Sequence, residues 1–282
     1  MKRYFLMTLV ATVVLTAIVS LSSSPVAAQY DLFGPKPRTG PPSGPAPRTP
    51  DGHPDLSGVW WLGRDIPVEP LRVGGARPAT GAPNTQPRRE TFANLYQPWA
   101  AEKAKTLGDK DDPSLRCIPV AFGTSNNSVT GLGFVGQILQ TPKFVGIMTE
   151  TYHSFKLIPT DGRKHRDDVP PSYRGDSVGR WEGDTLVVDT TNFNDKNWMH
   201  AEGTVSFHSD ALHIVERYRR VDADTLEIEA TIEDPTVLTK PWVVPKQTLQ
   251  LAPFDQIMEV MCSGVETAPL MDAAAKDNYG RK

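Results

Sequence analysis

Glu150, Glu216 and Asp189 fall where strand alternation sets them among apolar neighbours, which makes them the residues of this 282-residue chain best placed to do chemistry. Phe144, Gly146, Met148 and Glu150 alternate in one run. Leu212, Ile214, Glu216, Tyr218 and Arg220 alternate in a second, and Asp189 shares a face with Val187 in a third. A carboxylate turned into an enclosed space costs several kcal/mol unless it is paired. If it is not merely paired, it is poised to take a proton. Close by in sequence stand His153, His165, His200, His208 and His213, with Tyr152, Tyr173, Arg180, Trp181 and Trp198. These are the residue types of a pocket for a small, partly apolar molecule. The expected catalytic groups are Glu150, Glu216, His153 and His200, and the expected ligand contacts are Tyr152, Arg180, Trp181, Asp189, Trp198 and His208. A carboxylate or histidine would remove a proton while Arg180 or a second histidine stabilises the developing charge. Lyase, isomerase and hydrolase outcomes all fit that scheme.

Plainer readings stand beside it. Glu216 or Glu150 paired with Arg180, Arg163 or Arg217 would be a structural ion pair. His213, beside Val215, reads as easily as a wall residue. A carrier would use the same cavity without catalysis, and a structural envelope protein would need no cavity. The spacings of His200, His208 and His213 match no metal motif, and there is no CxxC or HExxH, so no metal is expected. Gly175-Asp-Ser-Val-Gly179 lacks the strand-turn-helix setting of a nucleophile elbow. With no Gly-rich phosphate loop, the sequence implies no cofactor.

The elements that must hold these residues are hairpins. In Ser177-Val-Gly-Arg-Trp-Glu-Gly-Asp-Thr-Leu-Val-Val-Asp-Thr-Thr-Asn-Phe193 two strand-like runs flank Glu182-Gly183-Asp184, and the pattern returns in Tyr218-Arg-Arg-Val-Asp-Ala-Asp-Thr-Leu-Glu-Ile-Glu-Ala-Thr-Ile232. After Asp224, Leu226, Ile228, Ala230 and Ile232 alternate with Glu227, Glu229, Thr231 and Glu233, a strand with one wet face. Further strands are predicted over 56–62, 136–140, 144–152, 153–159, 178–181, 185–191, 212–220, 246–251 and 258–262. A helix interrupted at Pro98 is predicted over 90–107. Short connections force antiparallel neighbours, so the predicted fold is mainly β. It is a meander closing into a lipocalin-like barrel or a bent sandwich, behind an irregular Pro-rich N-terminal arm.

Lys2 and Arg3, an apolar run over 4–21 and Pro25-Val-Ala-Ala28 read as a Sec signal peptide, residues 1–28, with an uncleaved anchor as the alternative. The expected location is periplasmic or secreted. A Pro- and Gly-rich linker over 29–54 would precede a single β-rich domain, 55–270, and a tail, 271–282. Loss of Lys2 and Arg3 leaves 28 of the 30 basic residues against 33 acidic ones, a net charge of −5. That gives no electrostatic reason to bind nucleic acid or an anionic membrane. No later run approaches the roughly 20 apolar residues that cross a bilayer. The expected partner is a small molecule, and the oligomeric state is open. Cys117 and Cys262, the two cysteines, are expected to form a disulfide in an oxidising compartment, with buried thiols as the alternative.

Pro50-Asp-Gly-His-Pro-Asp-Leu-Ser-Gly-Val-Trp60, Arg116-Cys-Ile-Pro119, Thr160-Asp-Gly-Arg-Lys-His165, Gly175-Asp-Ser-Val-Gly-Arg-Trp-Glu-Gly-Asp-Thr-Leu-Val-Val-Asp-Thr190, His208-Ser-Asp210 and Glu233-Asp-Pro235 together carry a resemblance. The chain resembles a largely uncharacterised family of secreted soil and aquatic bacterial proteins. The resemblance implies a lipocalin- or calycin-type barrel. That shape serves carriers of hydrophobic molecules and a few isomerases, cyclases and hydratases, so it implies no single reaction.

Overall fold

Alternating side chains and tight turns lead to one continuous antiparallel sheet. The computed structural model describes residues 42–63, 91–122, 135–150, 154–199 and 205–258. These belong to one unit spanning 37–282. The signal peptide, Tyr152, His153, His200, Cys262, the tail and all but the first residue of the expected 258–262 strand lie outside the described residues. The strands are β1 (Gly58–Trp61), β2 (Val135–Gln140), β3 (Phe144–Thr149), β4 (Phe155–Pro159), β5 (Asp176–Glu182), β6 (Thr185–Thr191), β7 (His213–Arg220), β8 (Thr225–Glu233) and β9 (Trp242–Leu251). Their order across the sheet is β4-β3-β2-β1-β9-β8-β7-β6-β5. The fold is therefore an up-and-down meander, nearly closed into a barrel. β9 returns to pair with β1, and the break in the ladder falls between β4 and β5.

Gly183, at φ 59°, makes the β5–β6 turn where an L side chain would be strained. In β8 the four apolar residues are buried, and β7 turns Ile214, Glu216, Tyr218 and Arg220 to the same side. The predicted helix is two pieces. A single 3-10 turn, Phe92–Leu95, is followed by α1 (Pro98–Thr106), with Pro98 in the first turn, where its missing N–H costs nothing.

Apolar side chains fill the barrel in two clusters. One joins Trp60, Ile138, Ile147, Ile158, Leu186 and Tyr218. The other packs Phe92, Tyr96 and Trp198 against Ile214, Ile232 and Trp242. The expected spacer is not free along its whole length. Residues from 42 onward lie against the barrel: Arg48 pairs with Asp184 in the β5–β6 turn, Ser43 donates to Asp224 in the β7–β8 turn, and His53 stacks on Trp181 at 4.5 Å.

At one end of the seam β4 and β5 come into contact through a missing side chain. A Cβ on Gly179 would stand 2.8 Å from Cγ2 of Ile158 and 3.1 Å from Cγ2 of Thr160. Gly179→Val should therefore lower unfolding stability by about 1–3 kcal/mol, the usual cost of overpacking. Urea denaturation at fixed pH measures it, and an unchanged midpoint would contradict the close approach.

Candidate functional site at the barrel seam

The residue that sequence alternation passed over is Lys156. In Phe155-Lys-Leu-Ile-Pro159 either face can be read as inward, and the pairing with β3 decides it. Ile147 sits opposite Lys156 and Val145 opposite Ile158, all four buried, while Phe155 and Leu157 are turned outward, 70% and 56% exposed. The signal lay in the neighbouring strand, whose alternation Val145, Ile147, Thr149 is the inward one.

Lys156 crosses beneath the seam to the Glu216 carboxylate, a pair with both side chains buried. The second carboxylate oxygen accepts the hydroxyl of Tyr218 at 2.7 Å. Burial pushes the Lys156 ammonium below its ordinary value even against the attraction of Glu216, with the Arg174 charge acting in the same direction as burial. Burial, reinforced by Glu216, pushes the Tyr218 phenol well above the ordinary tyrosine value, so it stays a donor. The Arg174 guanidinium is likewise lowered by burial, and it donates to the carbonyl of Val120 at 3.0 Å.

Above this cluster the seam opens. Between Ser154–Leu157 and Asp176–Ser177 lies a cleft of about 470 Å³, walled also by Pro119, Arg166, Tyr173 and Arg174. Its mouth is held by the segment that joins β4 to β5. The Asp176 carboxylate accepts from Arg166 Nε at 2.7 Å and lies 3.1 Å from His165 Nδ1. Burial raises the Asp176 carboxyl, and the bonds from Arg166 and His165 outweigh it, so the net direction is downward. Gly175, at φ 69°, lets this segment turn into β5, since a Cβ there would stand 2.5 Å from the Thr191 carbonyl. His165 Nε2 lies 3.0 Å from Asp189 Oδ1, His213 Nε2 lies 3.1 Å from the same oxygen, and His213 Nδ1 lies 3.3 Å from Glu233. A carboxylate–imidazole ladder thus crosses the outside of β5 to β8. All four of its hydrogen bonds form only when both rings carry two N–H groups.

Of the expected site residues, Glu216 points into the barrel, paired with Lys156 rather than with any of the three arginines considered. Those arginines bind elsewhere on the surface: Arg163 to Asp161, Arg180 and Arg217 to Glu182. Glu150 does not line the barrel. It follows Thr149 on the outward parity of β3 and accepts the Met258 backbone N–H at 2.8 Å. Asp189 also faces outward, because the inward residues of β6 are Leu186, Val188 and Thr190, opposite Tyr218, Glu216 and Ile214. Arg180 is on the outer surface, Trp181 stacks on His53, and Trp198 is buried in the core cluster with Phe92, so none of the three lies in the cleft. His208 is buried and does not line the cleft. Its Nδ1 donates to the Ser209 carbonyl at 2.8 Å and its Nε2 lies 2.9 Å from Asn197 Oδ1. Burial holds its pKa below the usual histidine value despite that carbonyl and the charges of Asp234 and Asp195.

A larger hollow of about 560 Å³ lies by Gln97 and Lys240. Its Asp234 carboxylate is already taken by the Ser209 N–H and hydroxyl and by the N–H of Thr236. The seam cleft is therefore the better site, being lined by the buried cationic side chains Lys156 and Arg174, whereas the carboxylate of the other hollow is already hydrogen-bonded. Comparison with protein-family models, curated proteins and solved structures finds no match for the chain.

Two outcomes follow from the buried groups. Glu216→Gln strips Lys156 of its counter-charge and should cost about 3–5 kcal/mol, whereas the double change Lys156→Met with Glu216→Leu should cost far less. Guanidinium denaturation distinguishes them, and equal losses would contradict a tightly coupled pair. For His208, the folded-state value lies below the unfolded one, so its contribution to stability is present above the ordinary histidine range. It is lost as pH falls through that range. Unfolding free energy measured between about pH 7.5 and 5.5, one unit either side of an ordinary imidazole, should therefore fall more steeply in the native protein than in His208→Gln.

Proposed function

We propose that the protein binds a small, partly apolar molecule bearing a carboxylate or similar anionic group in the seam cleft. The observation that carries this reading is the cleft's composition. Phe155, Leu157, Pro119 and Tyr173 offer apolar contact, and Arg166, Arg174 and Lys156 bring cationic side chains to the wall, Arg166 beside Asp176 and Lys156 beside Glu216. A planar guanidinium is suited to a carboxylate, which it can hold through two parallel hydrogen bonds. A second reading, cofactor-free acid/base catalysis, is favoured by one observation: Lys156 is buried against the Glu216 carboxylate, burial favours its neutral amine, and Glu216 is placed to take the proton that it gives up. In this reading Glu216, one of the carboxylates expected to remove a proton, works together with Lys156 and Tyr218. Export through the signal peptide at residues 1–28, to the periplasm or beyond, belongs to the same proposal.

The test is calorimetric titration with aromatic and alicyclic carboxylates, each matched to its uncharged amide. Carboxylates should bind, amides should bind at least about tenfold more weakly, a difference of roughly 1.4 kcal/mol, and the exposed-wall change Leu157→Glu should abolish binding without altering the fold. Amides binding as well as carboxylates would overturn the anionic preference, and binding unaffected by Leu157→Glu would place the ligand outside the cleft. Conversion of a bound compound that disappears in Lys156→Met, while binding of a carboxylate to Arg166 persists, would establish the catalytic reading. For export, N-terminal sequencing of protein recovered from the producing cells should begin near Gln29, and an intact Met1 would contradict cleavage.

A further inference from the structure

β4 and β5 point the same way. The nine strands of the sheet have eight antiparallel junctions between β4 at one end and β5 at the other, and eight reversals restore the starting direction. Such a meander cannot close on itself with an antiparallel ladder. A segment laid between β4 and β5 would be antiparallel to both.

The edge of β4 that faces this gap has open hydrogen-bonding groups. The Thr149 N–H donates to the Ser154 carbonyl at 3.0 Å, and the Thr160 N–H donates to the Lys143 carbonyl at 2.8 Å. These two bonds fix the phase of the β3–β4 ladder, so Ser154, Lys156, Ile158 and Thr160 turn their backbone N–H and C=O groups toward β3. Phe155, Leu157 and Pro159 turn theirs into the seam. Pro159 has no N–H to offer, and beside it β5 closes up, with Gly179 lying against Ile158. That leaves Phe155 and Leu157, whose N–H and C=O groups meet no partner among the described residues. Both wall the cleft, and their exposed side chains stand on its outer face. An unpaired strand edge is a template for another strand.

Direction and charge agree at the other end of the gap. β4 and β5 are in contact at Ile158 and Gly179, and three steps back along each brings Phe155 level with Asp176. Asp176 holds Arg166 through Nε at 2.7 Å and Nη2 at 2.6 Å. The Arg166 side chain is 59% exposed, and its Nη1 meets no partner among the described residues. A strand antiparallel to β4 ends where β4 begins, so its C-terminus arrives at this guanidinium.

We propose that the seam cleft binds a short extended peptide, which adds as a strand to the Phe155–Leu157 edge, antiparallel to β4, with its free C-terminal carboxylate on Arg166 Nη1. The inference rests on the reading of the cleft as a carboxylate site and names the class of molecule that site takes. Phe155 to Leu157 spans about 7 Å at about 3.3 Å per residue, the reach of a tripeptide. Its first and third residues pair with Leu157 and Phe155, and their side chains lie beside those two on the outer face, where apolar residues fit.

The probe is acetyl-Val-Thr-Val with a free carboxylate, titrated into the full chain and followed by calorimetry and by amide hydrogen exchange. On binding, exchange at Phe155 and Leu157 should slow by about tenfold or more, while Lys156 and Ile158, already bonded to β3, change little. N-methylation of the first valine removes the N–H that faces Leu157 and should weaken binding about tenfold, as should a C-terminal amide. Acetylvaline carries the carboxylate without the strand and separates the two readings. If it binds as tightly as the tripeptide, or if the tripeptide binds with exchange at Phe155 and Leu157 unchanged, the added strand is overturned and the carboxylate site stands. If neither compound binds, both readings fall.

Discussion

The barrel is closed, where its hydrogen-bond ladder is not, by a charge. β4 and β5 each have a ladder partner on one side only, and across the gap between them the Lys156 ammonium reaches the Glu216 carboxylate on β7. Two charges withdrawn from water repay their desolvation only when the geometry is good and the remaining lone pairs are satisfied. Tyr218 meets that condition by donating to the other carboxylate oxygen. Once the cluster is fixed, so is the inward face of β4, and with it the outward exposure of Phe155 and Leu157. The cleft is then lined in part by a member of this buried ion pair, Lys156.

A sheet with such a seam needs support at its ends and margins, and the irregular segments supply it. The N-terminal arm ties the β5–β6 and β7–β8 turns through Arg48 and Ser43. Arg220 lies over the Trp60 ring at 5.0 Å and donates to the Asp55 carbonyl, binding the start of β1 to the end of β7. The 252–258 segment crosses β1 to β3 from outside, bonding to Val59, Gln137 and Glu150. Each device spends polar groups on loop backbone, whose N–H and C=O groups have no ladder to join. The segment that joins β4 to β5 carries Arg166, Tyr173 and Arg174, and these same residues wall the cleft.

The strands around Asp224 were legible because their two faces differ sharply in chemistry. Leu226, Ile228, Ala230 and Ile232 against Glu227, Glu229, Thr231 and Glu233 admit one reading. β7 was legible for the same reason, and it carried Glu216 inward with its apolar companions. β3 and β4 were not, because both of their faces hold apolar residues. Val145 and Ile147 face in while Phe144 and Met148 face out, so parity alone assigned Glu150 to the wrong side. Asp189 misled differently. Val187, on the same face as Asp189, makes that face read as inward, but Val187 is buried on the outer surface, opposite Arg180 and Arg217 of the neighbouring strands.

The sequence by itself determined the class of the fold, since turn chemistry and a period of two are local properties that act before any distant contact is made. It also determined that a carboxylate on β7 would be buried. Tertiary structure alone decided what that carboxylate meets. Lys156 and Glu216 are sixty positions apart, and nothing local in Phe155-Lys-Leu-Ile-Pro159 chooses a face. The choice comes from the register with β3 and from the bend that brings β4 round to β5, both of which depend on the whole barrel closing at once.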